Sequence, residues 1–498
     1  MELNANWLSR LAASRPQHLA VFWRGSWVSY RELYARAVRA AESLAGLGIG
    51  KGERVGVLGL NHIGYLELYF AAPLLGFIPT LFNYRLSKAE LQGLVEYTRP
   101  RALFYGEEFK ELAHTLHPTP YPLDDLTKLP GAELPAYRAK QEDPGLILFT
   151  GGTTGLPKGA LIPYRQLLTN AFQTCMSWGL RPEDRYIVST PMFHAALNAL
   201  CTPLLYLGAS VLIQEKFDPA EYLKWMGEYR ASLLFLVPTM YQMLANHPDF
   251  DRTDFSSVRW AISGGAPCPA PVREAFRAKG IRFKQGYGLT ECGVNCFTFE
   301  LDEAERYPES VGRPMPHLWA KLMDAEGKEA RSEGELWLSG PTVMSGYFER
   351  PEDTAKCLVE LEGCTWLKTG DLAQQDAEGR FYIVGRAKEM FISGGENVYP
   401  IEVERALYDH PAVAECAVLA VPDAKWGEVG LAAIVLKEKV SEASFGDSWE
   451  EEFRAFLKGR LAGYKVPKRF VFLDELPKSG PGKILKTELA ARFGGQHA

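Results

Sequence analysis

The chain has 498 residues, of which 47% are apolar and 23% charged, and its formal net charge is −6. These values are typical of an ordinary globular protein and exclude a disordered or fibrous chain. The near balance of charge gives no support for nucleic-acid binding. At about 150 residues per domain, the length predicts roughly three structural units.

The sequence predicts neither export nor a membrane span. The first residues lack the basic and apolar stretches of a secretory signal, and the most apolar run, residues 68–82, is interrupted by two prolines and a glycine. That run is expected to form a buried helix, a turn and a strand. The eight cysteines are scattered without zinc-site spacing, so reduced thiols and a cytoplasmic location are expected. Cys292 and Cys296 are interpreted as buried thiols rather than as a disulfide or a metal pair.

Short apolar strands alternate with helices through the first 320 residues. Ser29 and Glu32 form a predicted capping box that begins a helix over residues 30–44. The other predicted strands and helices of this part are strands at 54–59, 77–81, 210–213, 232–236 and 259–262 and helices at 63–75, 219–229 and 239–246. This alternation predicts an α/β fold with parallel strands.

The pattern changes after residue 321 to shorter β segments with glycine turns, at 334–340 and 381–385. Helix and strand alternation resumes near residue 401, so we place a domain boundary near Arg386. The prediction is a large N-terminal domain over residues 1–385, built of parallel-sheet and β subdomains, and a small mobile α+β domain over residues 386–498.

A loop rich in glycine and threonine follows a predicted strand at 147–149. The loop residues that could face an anion are Thr150, Gly151, Gly152, Thr153, Thr154, Gly155 and Lys158. Glycines let backbone amides converge on an anion, hydroxyls add donors and the lysine adds charge, so the loop predicts phosphate binding rather than a flexible surface turn.

Two common phosphate-loop patterns do not fit. The nucleotide-kinase loop needs glycine before its lysine and serine or threonine after it, but Pro157 and Gly159 flank Lys158. A dinucleotide fingerprint beginning at Gly286 fails because Glu291 occupies its third glycine position and would repel a pyrophosphate.

The loop over residues 150–159 instead resembles the signature loop of adenylate-forming enzymes, which include acyl- and aryl-CoA synthetases, luciferases and the adenylation domains of peptide synthetases. Further segments resemble this family's motifs in the same order, at 191–194, 264–267, 285–291, 368–371, 385–388, 394–400 and 477–484. The resemblance covers nearly the whole chain and implies formation of an acyl-adenylate.

The resemblance implies an ATP and AMP site. Its expected members are Thr150, Gly151, Gly152, Thr153, Thr154, Gly155, Lys158, Gly265, Ala266, Pro267, Gln285, Gly286, Tyr287, Gly288, Thr290, Asp371, Arg386 and Lys483. Asp371 and Arg386 would bind the ribose, and Tyr287 would stack on the adenine. Glu291, together with Thr154, would supply the hard oxygen ligands that Mg²⁺ prefers.

The resemblance also implies residues for catalysis, for the acid and for CoA. The expected catalytic residues are Lys483, Thr290, Glu291 and His194, the acyl-pocket residues are His194, Ala195, Gly293, Val294 and Asn295, and the hinge and CoA residues are Lys388, Gly394, Gly395 and Trp426. The Lys483 ammonium would stabilise the charge that grows between the carboxylate and the α-phosphate. Structural alternatives stay open: Asp371 in an Asx-turn, Glu291 as a solvated carboxylate, and Tyr287 and His194 as core side chains.

The implied activity is that of an AMP-forming acyl-CoA synthetase, with ATP, Mg²⁺ and CoA as its cofactors and co-substrates. Small residues such as Ala195 and Ala196 offer no acidic partner for an amino group, so an apolar acid is expected. A medium- or long-chain fatty acid is the first expectation, and an aromatic acid such as benzoate or a hydroxycinnamate is the alternative. A luciferase-like oxygenase and a silent nucleotide-binding protein are rival interpretations, and a homodimer is an open assembly.

Overall fold

The computed structural model describes residues 4–150, 156–437, 449–478 and 484–493. The strands are β1 (Leu19–Trp23), β2 (Ser26–Ser29), β3 (Arg54–Leu58), β4 (Ile78–Leu81), β5 (Ala102–Tyr105), β6 (Pro120–Pro122), β7 (Pro144–Thr150), β8 (Lys158–Pro163), β9 (Arg185–Val188), β10 (Ser210–Ile213), β11 (Leu233–Leu236), β12 (Trp260–Ser263), β13 (Phe283–Gln285), β14 (Phe297–Thr298), β15 (Arg313–Pro314), β16 (Trp319–Met323), β17 (Glu333–Ser339), β18 (Gly346–Tyr347), β19 (Leu358–Leu361), β20 (Cys364–Gln375), β21 (Phe381–Arg386), β22 (Phe391–Ser393), β23 (Glu396–Val398), β24 (Val413–Asp423), β25 (Gly427–Leu436) and β26 (Arg469–Phe472). The α-helices are α1 (Leu8–Ser14), α2 (Tyr30–Gly46), α3 (Ile63–Leu75), α4 (Lys88–Thr98), α5 (Lys110–Leu116), α6 (Tyr164–Ser177), α7 (Cys201–Leu207), α8 (Pro219–Glu228), α9 (Pro238–Ala245), α10 (Ala270–Arg277), α11 (Leu301–Arg306), α12 (Pro351–Cys357), α13 (Pro400–Tyr408), α14 (Trp449–Lys458) and α15 (Lys486–Phe493).

Two large, mainly parallel sheets form the first part of the chain. Within the described residues, their strand orders are β13-β12-β11-β9-β10-β1-β2 and β18-β8-β7-β4-β3-β5-β6. Only the pairs β1·β2, β7·β8 and β8·β18 of these two described sheets are antiparallel. The predicted α/β fold with parallel strands is therefore confirmed.

Local sequence patterns set several elements of these sheets. The capping box at the start of α2 is present, because the Ser29 side chain accepts from the Glu32 amide and the Glu32 carboxylate accepts from the Ser29 amide. The apolar run at 68–82 forms the end of α3, a turn at Gly76 with φ +86° and strand β4, as predicted. Along the part of the chain that the structure describes, no helix is both long and apolar enough to cross a bilayer.

The order of the parallel strands decides where the site lies. Strands β12 and β13 are neighbours in register, with Ser263 opposite Gln285. The segments that follow them, 264–267 and 286–291, therefore leave the same edge of the sheet side by side. Ligands of open α/β sheets bind outside this carboxyl edge of the strands.

Two mainly antiparallel sheets follow in the rest of the described chain, with β26 parallel to β25 as the exception. Strands β16-β17-β20-β19 form one sheet with β21 on β20, and β23-β22-β25-β24 form another with β26 on β25. The second sheet and helices α13 and α14 share a hydrophobic cluster that includes Phe391, Val403, Val418, Phe453 and Phe470. The α+β character of the C-terminal part is thus confirmed, whereas the boundary at Arg386 and the mobility of this part stay predictions.

Candidate active site

Strands β7 and β8 hold the two ends of the glycine- and threonine-rich loop. They pair antiparallel up to Thr150, which lies opposite Lys158. The loop therefore joins two neighbouring strands, whereas a nucleotide-kinase loop leads into a helix. The remaining loop residues predicted to bind phosphate (Gly151, Gly152, Thr153, Thr154 and Gly155) and the predicted catalytic Lys483 lie outside the described residues.

Lys158 belongs to a cluster of charged and aromatic side chains at the end of this loop. Its Nζ lies 2.9 Å from Oδ1 of Asp353 and 5.1 Å from the ring centre of Tyr347. The Tyr347 hydroxyl donates to Oε1 of Glu291 at 2.8 Å. Burial, followed by the charge of Glu291, raises the pKa of Tyr347, so its hydroxyl keeps the proton that it donates. Tyr347 thus contacts both the loop lysine and the predicted magnesium ligand.

Thr290 and Glu291 lie on the short 3-10 turn Thr290–Cys292. The Thr290 carbonyl accepts from Nε2 of Gln166 at 2.8 Å, and the Glu291 carbonyl accepts from the Met344 amide at 2.8 Å. The backbone is therefore fixed, and the carboxylate offers acceptor oxygens of the hard type that Mg²⁺ takes in combination with substrate phosphates. The donor set fits a magnesium ion held by Glu291.

Asp371 is held from two sides on β20. Nε of Arg386 lies 2.8 Å from its Oδ1, and the Tyr287 hydroxyl donates to its Oδ2 at 2.6 Å. Asp371 and Arg386 are also opposite each other in the β20·β21 pairing. Burial, and then Asp371, raises the pKa of Tyr287, which keeps this hydroxyl a donor. An ionised carboxylate in a fixed orientation can accept from two neighbouring sugar hydroxyls.

The predicted adenine wall lies where β12 ends. Gly265 has φ +83°, and both Gly265 and Ala266 are exposed, while Pro267 beside them is half-buried. Gln285 is buried, and its Oε1 accepts from the Cys268 amide at 3.0 Å. Gln285 therefore fixes the backbone of the wall.

Gly286 and Gly288 flank Tyr287 in the chain and let neighbouring backbone segments approach closely. A Cβ atom at Gly286 would lie 3.1 Å from the Ser263 carbonyl oxygen, and one at Gly288 would lie 2.1 Å from the Val294 carbonyl oxygen. Larger residues would push these segments apart. The Tyr287 ring is half-buried, and its stacking on adenine stays a prediction.

The first predicted acyl-pocket segment contains His194. Nδ1 of His194 accepts from the Ala196 amide at 3.3 Å and thereby caps the 3-10 turn Ala195–Asn198. Ala195 is buried and His194 is half-buried. The role of His194 as a gate stays a prediction, and its capping bond is a structural role that it also fills.

The second acyl-pocket segment packs against α6. Gly293 has φ +76°, and a Cβ atom there would lie 3.2 Å from Oδ1 of Asn170. Val294 is half-buried, and Asn295 is buried. Because Nδ2 of Asn295 donates to the Thr174 hydroxyl at 2.9 Å and to the Ala199 carbonyl at 2.8 Å, both of its amide hydrogens are used inside the protein. These bonds connect the predicted pocket wall to α6 and to the segment before α7, and contact of Asn295 with the acid stays a prediction.

Lys388 follows strand β21, near enough to Asp371 and Lys158 for their charges to act on its ammonium. Partial burial, followed by the charge of Arg386, lowers the pKa of its ammonium. The charge of Lys158 lowers this pKa further, whereas the carboxylates of Glu389 and Asp371 raise it. The backbone turn is closed by the amides of Glu389 and Met390, which both donate to the Arg386 carbonyl. Its service as a hinge stays a prediction.

The predicted CoA residues meet at the hairpin of β22 and β23. Gly394 and Gly395 form its two-residue turn with φ +63° and +90°, a geometry that favours glycine at both positions. A Cβ atom at Gly394 would lie 2.6 Å from the Trp426 ring, which is 37% exposed. Lys425 and Lys468 lie within 5.1 and 5.7 Å of that ring centre. An exposed ring between two cations is compatible with binding of an anionic nucleotide. The two glycines are also required by the turn itself, so their presence alone does not indicate CoA binding.

Sequence reasoning assigned no role to Tyr347, Asp353 or Asn170. Tyr347 reaches the loop because β18 pairs with β8, with Tyr347 opposite Ala160. No local pattern predicts such a distant pairing. The only nearby sequence features that could have marked this turn region were Gly346 before Tyr347 and the proline that begins α12.

Comparisons with known proteins agree with this geometry. A family model described as AMP-binding enzyme matches residues 8–348, and one described as AMP-binding enzyme C-terminal domain matches residues 402–483. A feruloyl-CoA synthase from Amycolatopsis sp is 38% identical over 98% of this chain and 99% of its own.

Solved structures resemble the chain over its whole length. The o-succinylbenzoate CoA synthetase of Bacillus subtilis bound to its acyl-adenylate is 31% identical, with a TM-score of 0.88 and full coverage of both chains. The same synthetase bound to ATP and a magnesium ion is 30% identical, with a TM-score of 0.86 over 97% of this chain and 99% of that one. This chain therefore belongs to the AMP-binding enzyme family and is an AMP-forming acid–thiol ligase that uses ATP, Mg²⁺ and CoA.

Proposed function

We propose that this ligase converts a compact aromatic acid, of the hydroxycinnamate or benzoate type, into its CoA thioester. The sequence placed a medium- or long-chain fatty acid first and an aromatic acid second. The relatives support the second choice, because feruloyl-CoA synthase and o-succinylbenzoate CoA synthetase are both named for aromatic acids. One structural observation supports the proposal further, namely a buried polar network that includes residues of both predicted acyl-pocket segments.

This network connects both predicted pocket segments to α6 and α7. Nδ2 of Asn170 donates to the Asn198 carbonyl at 2.7 Å, and Nδ2 of Asn295 donates to the Thr174 hydroxyl at 2.9 Å. The Thr202 hydroxyl donates to Oδ1 of Asn198 at 3.0 Å. None of these five residues is more than 6% exposed.

The network supports a short, flat acid over a long alkyl chain. A chain passing between these groups would separate donors from acceptors, and each buried group left unpaired costs about 1–3 kcal/mol. An aromatic ring that stops in front of the wall avoids this cost.

The reaction that we propose has two steps. An oxygen of the acid attacks the α-phosphorus of ATP, and the bond from that phosphorus to pyrophosphate breaks. The thiolate of CoA then attacks the acyl carbon, and AMP leaves with the electron pair of the acyl–oxygen bond. Each step is a displacement for which the protein supplies position and charge.

The predicted site residues, of which Lys483 alone in this set lies outside the described residues, have separate tasks in the first step. Asp371 and Arg386 would orient the ribose, and Lys158 would face the β- and γ-phosphates. Glu291 would hold Mg²⁺, which neutralises phosphate charge when bound. Lys483 would stabilise the attacking carboxylate and the α-phosphate.

A substrate panel tests this proposal. Pyrophosphate release would be measured with acetate, octanoate, palmitate, benzoate, ferulate and malonate, with and without CoA. We expect the highest kcat/KM with ferulate or benzoate, and a higher value with octanoate or palmitate would refute the aromatic acid. Light emission without CoA would instead indicate a luciferase-like enzyme, and nucleotide binding without turnover would indicate a silent protein.

A pair of variants tests the network itself. Thr174→Val removes the hydroxyl that bonds Asn295 while keeping the side-chain volume, and we expect the ratio of kcat/KM for ferulate to that for octanoate to fall several-fold. Thr169→Val, on the same helix and also buried, is the matched control. An equal ratio in both variants would contradict the argument from the network.

A further inference from the structure

We propose that Tyr347 is a positioning residue for adenylation, which orients the Glu291 carboxylate for the metal ion and orients Lys158 toward the phosphate loop. This inference rests on the first step of the proposed function. It concerns a residue that no sequence motif singled out.

The backbone around Tyr347 is fixed from two directions. On one side, Tyr347 pairs with Ala160 in the sheet, and the Phe348 amide donates to the Gly159 carbonyl at 2.8 Å. On the other side, the Tyr347 amide donates to the Thr354 hydroxyl of α12 at 2.9 Å. The ring is therefore placed by strand β8 at the end of the loop and by helix α12 together.

The hydroxyl of Tyr347 acts on Glu291. It donates to Oε1 at 2.8 Å, while the Glu291 carbonyl is held by the Met344 amide. A carboxylate with one oxygen held in this way presents the other oxygen in a defined direction. Hydrogen bonds to ionised groups are stronger than neutral ones. Removal of such an outer partner of a metal ligand commonly lowers metal affinity about 10- to 100-fold.

The ring of Tyr347 acts on Lys158. The ammonium lies 5.1 Å from the ring centre, within the range of a cation–π attraction, and its other side meets Asp353 at 2.9 Å. The Tyr347 ring and the Asp353 carboxylate together restrict the Lys158 ammonium to one position at the C-terminal end of the loop over residues 150–159. The hydroxyl and the ring therefore have separable effects.

Two variants separate these effects. Tyr347→Phe removes the hydroxyl and keeps the ring, and Tyr347→Leu removes both. Tyr382→Phe is the matched control, because the Tyr382 hydroxyl donates to a carboxylate oxygen of Asp376 at 3.1 Å outside the site. The full-length protein would be used throughout, and thermal unfolding would establish that each variant is folded.

The main readout is binding rather than turnover. ATP binding would be measured by calorimetry over a series of Mg²⁺ concentrations, and Mn²⁺ binding in the presence of ATP by electron paramagnetic resonance. We expect Tyr347→Phe to raise the half-maximal metal concentration about tenfold and to leave metal-free ATP binding unchanged. Tyr347→Leu should in addition weaken metal-free ATP binding, and Tyr382→Phe should change neither quantity.

A double-mutant cycle with Glu291→Gln gives the decisive comparison. If Tyr347 acts through Glu291, Tyr347→Phe has no further effect on metal dependence once Glu291 is replaced. An equal effect in both backgrounds, or an unchanged metal dependence in the single variant, would overturn the proposal. Failure of the wild type to release pyrophosphate with any acid would refute the proposed function, and the binding measurements would still decide the role of Tyr347.

Discussion

Lys284 offers a prediction about stability that is independent of the active site. It lies on β13, is only 4% exposed, and its Nζ is 5.8 Å and 5.0 Å from the ring centres of Trp178 and Trp260. Burial lowers the pKa of its ammonium to about 8, although the charge of Glu300 opposes this. We predict that Lys284→Met stabilises the protein at pH 7.

The magnitude follows from the pKa. A value lowered from 10.5 to about 8 corresponds to roughly 3 kcal/mol. Between these two pH values the unfolded chain keeps the proton that folded Lys284 has released, so stability rises with pH in that window. Below pH 8 the full cost is present. The attraction between the ammonium and the two indole rings offsets about 0.5–2 kcal/mol of this, which leaves a net cost of about 1–2.5 kcal/mol at pH 7.

Calorimetric unfolding at pH 7.0 and pH 9.5 would test this prediction. We expect Lys284→Met to raise Tm by a few degrees at the lower pH and by less at the higher pH. Lys279→Met is a suitable control, because Lys279 lies near the Phe250 ring but forms an ion pair with Asp251 at 2.7 Å. If Lys284→Met lowered Tm at pH 7.0, the aromatic attraction would outweigh desolvation, and the reasoning would be refuted.

Three predictions concern the reaction. Asp371→Asn replaces a charged acceptor by a neutral one and should raise KM for ATP about tenfold, and an unchanged KM would count against ribose binding at this residue. Lys483→Ala should slow adenylation about 10²–10³-fold, and unchanged pyrophosphate release would contradict its catalytic role. Lys388→Pro should spare adenylation and slow thioester formation, because proline restricts the backbone before it; equal loss in both half-reactions would speak against a hinge.

The sequence predicted those parts of the fold that local patterns determine. The helix after Ser29 begins at its predicted capping box, and the apolar run around Gly76 forms the predicted helix, turn and strand. In each case the period of the apolar residues and one or two capping or turn residues decide the conformation. Distances of a few residues are enough for these effects, so a single sequence reveals them.

The internal partners of the site residues could not be predicted in the same way. Asn295 was predicted to line the acyl pocket, which stays a prediction, whereas the bonds of its amide hydrogens to Thr174 and Ala199, in two other segments, were not foreseen. The orientation of a side chain in a pocket wall depends on which neighbours can satisfy it. The motif identifies the wall and does not decide which side chains face the ligand.

Tyr347 shows what the motifs leave out of the site's chemistry. Lys158 and Glu291 were both predicted, yet neither motif contains the group that contacts both of them. Each needs an external partner, because a flexible ammonium and a rotatable carboxylate lose conformational entropy when they meet a triphosphate. Because Tyr347, which β18 and α12 hold in place, already orders these two side chains in the folded protein, part of this entropy is lost during folding and not when ATP binds. The predicted phosphate loop is therefore only one part of the proposed adenylation site, and Lys158 and the predicted metal ligand Glu291 both contact a residue on a strand that the chain reaches much later.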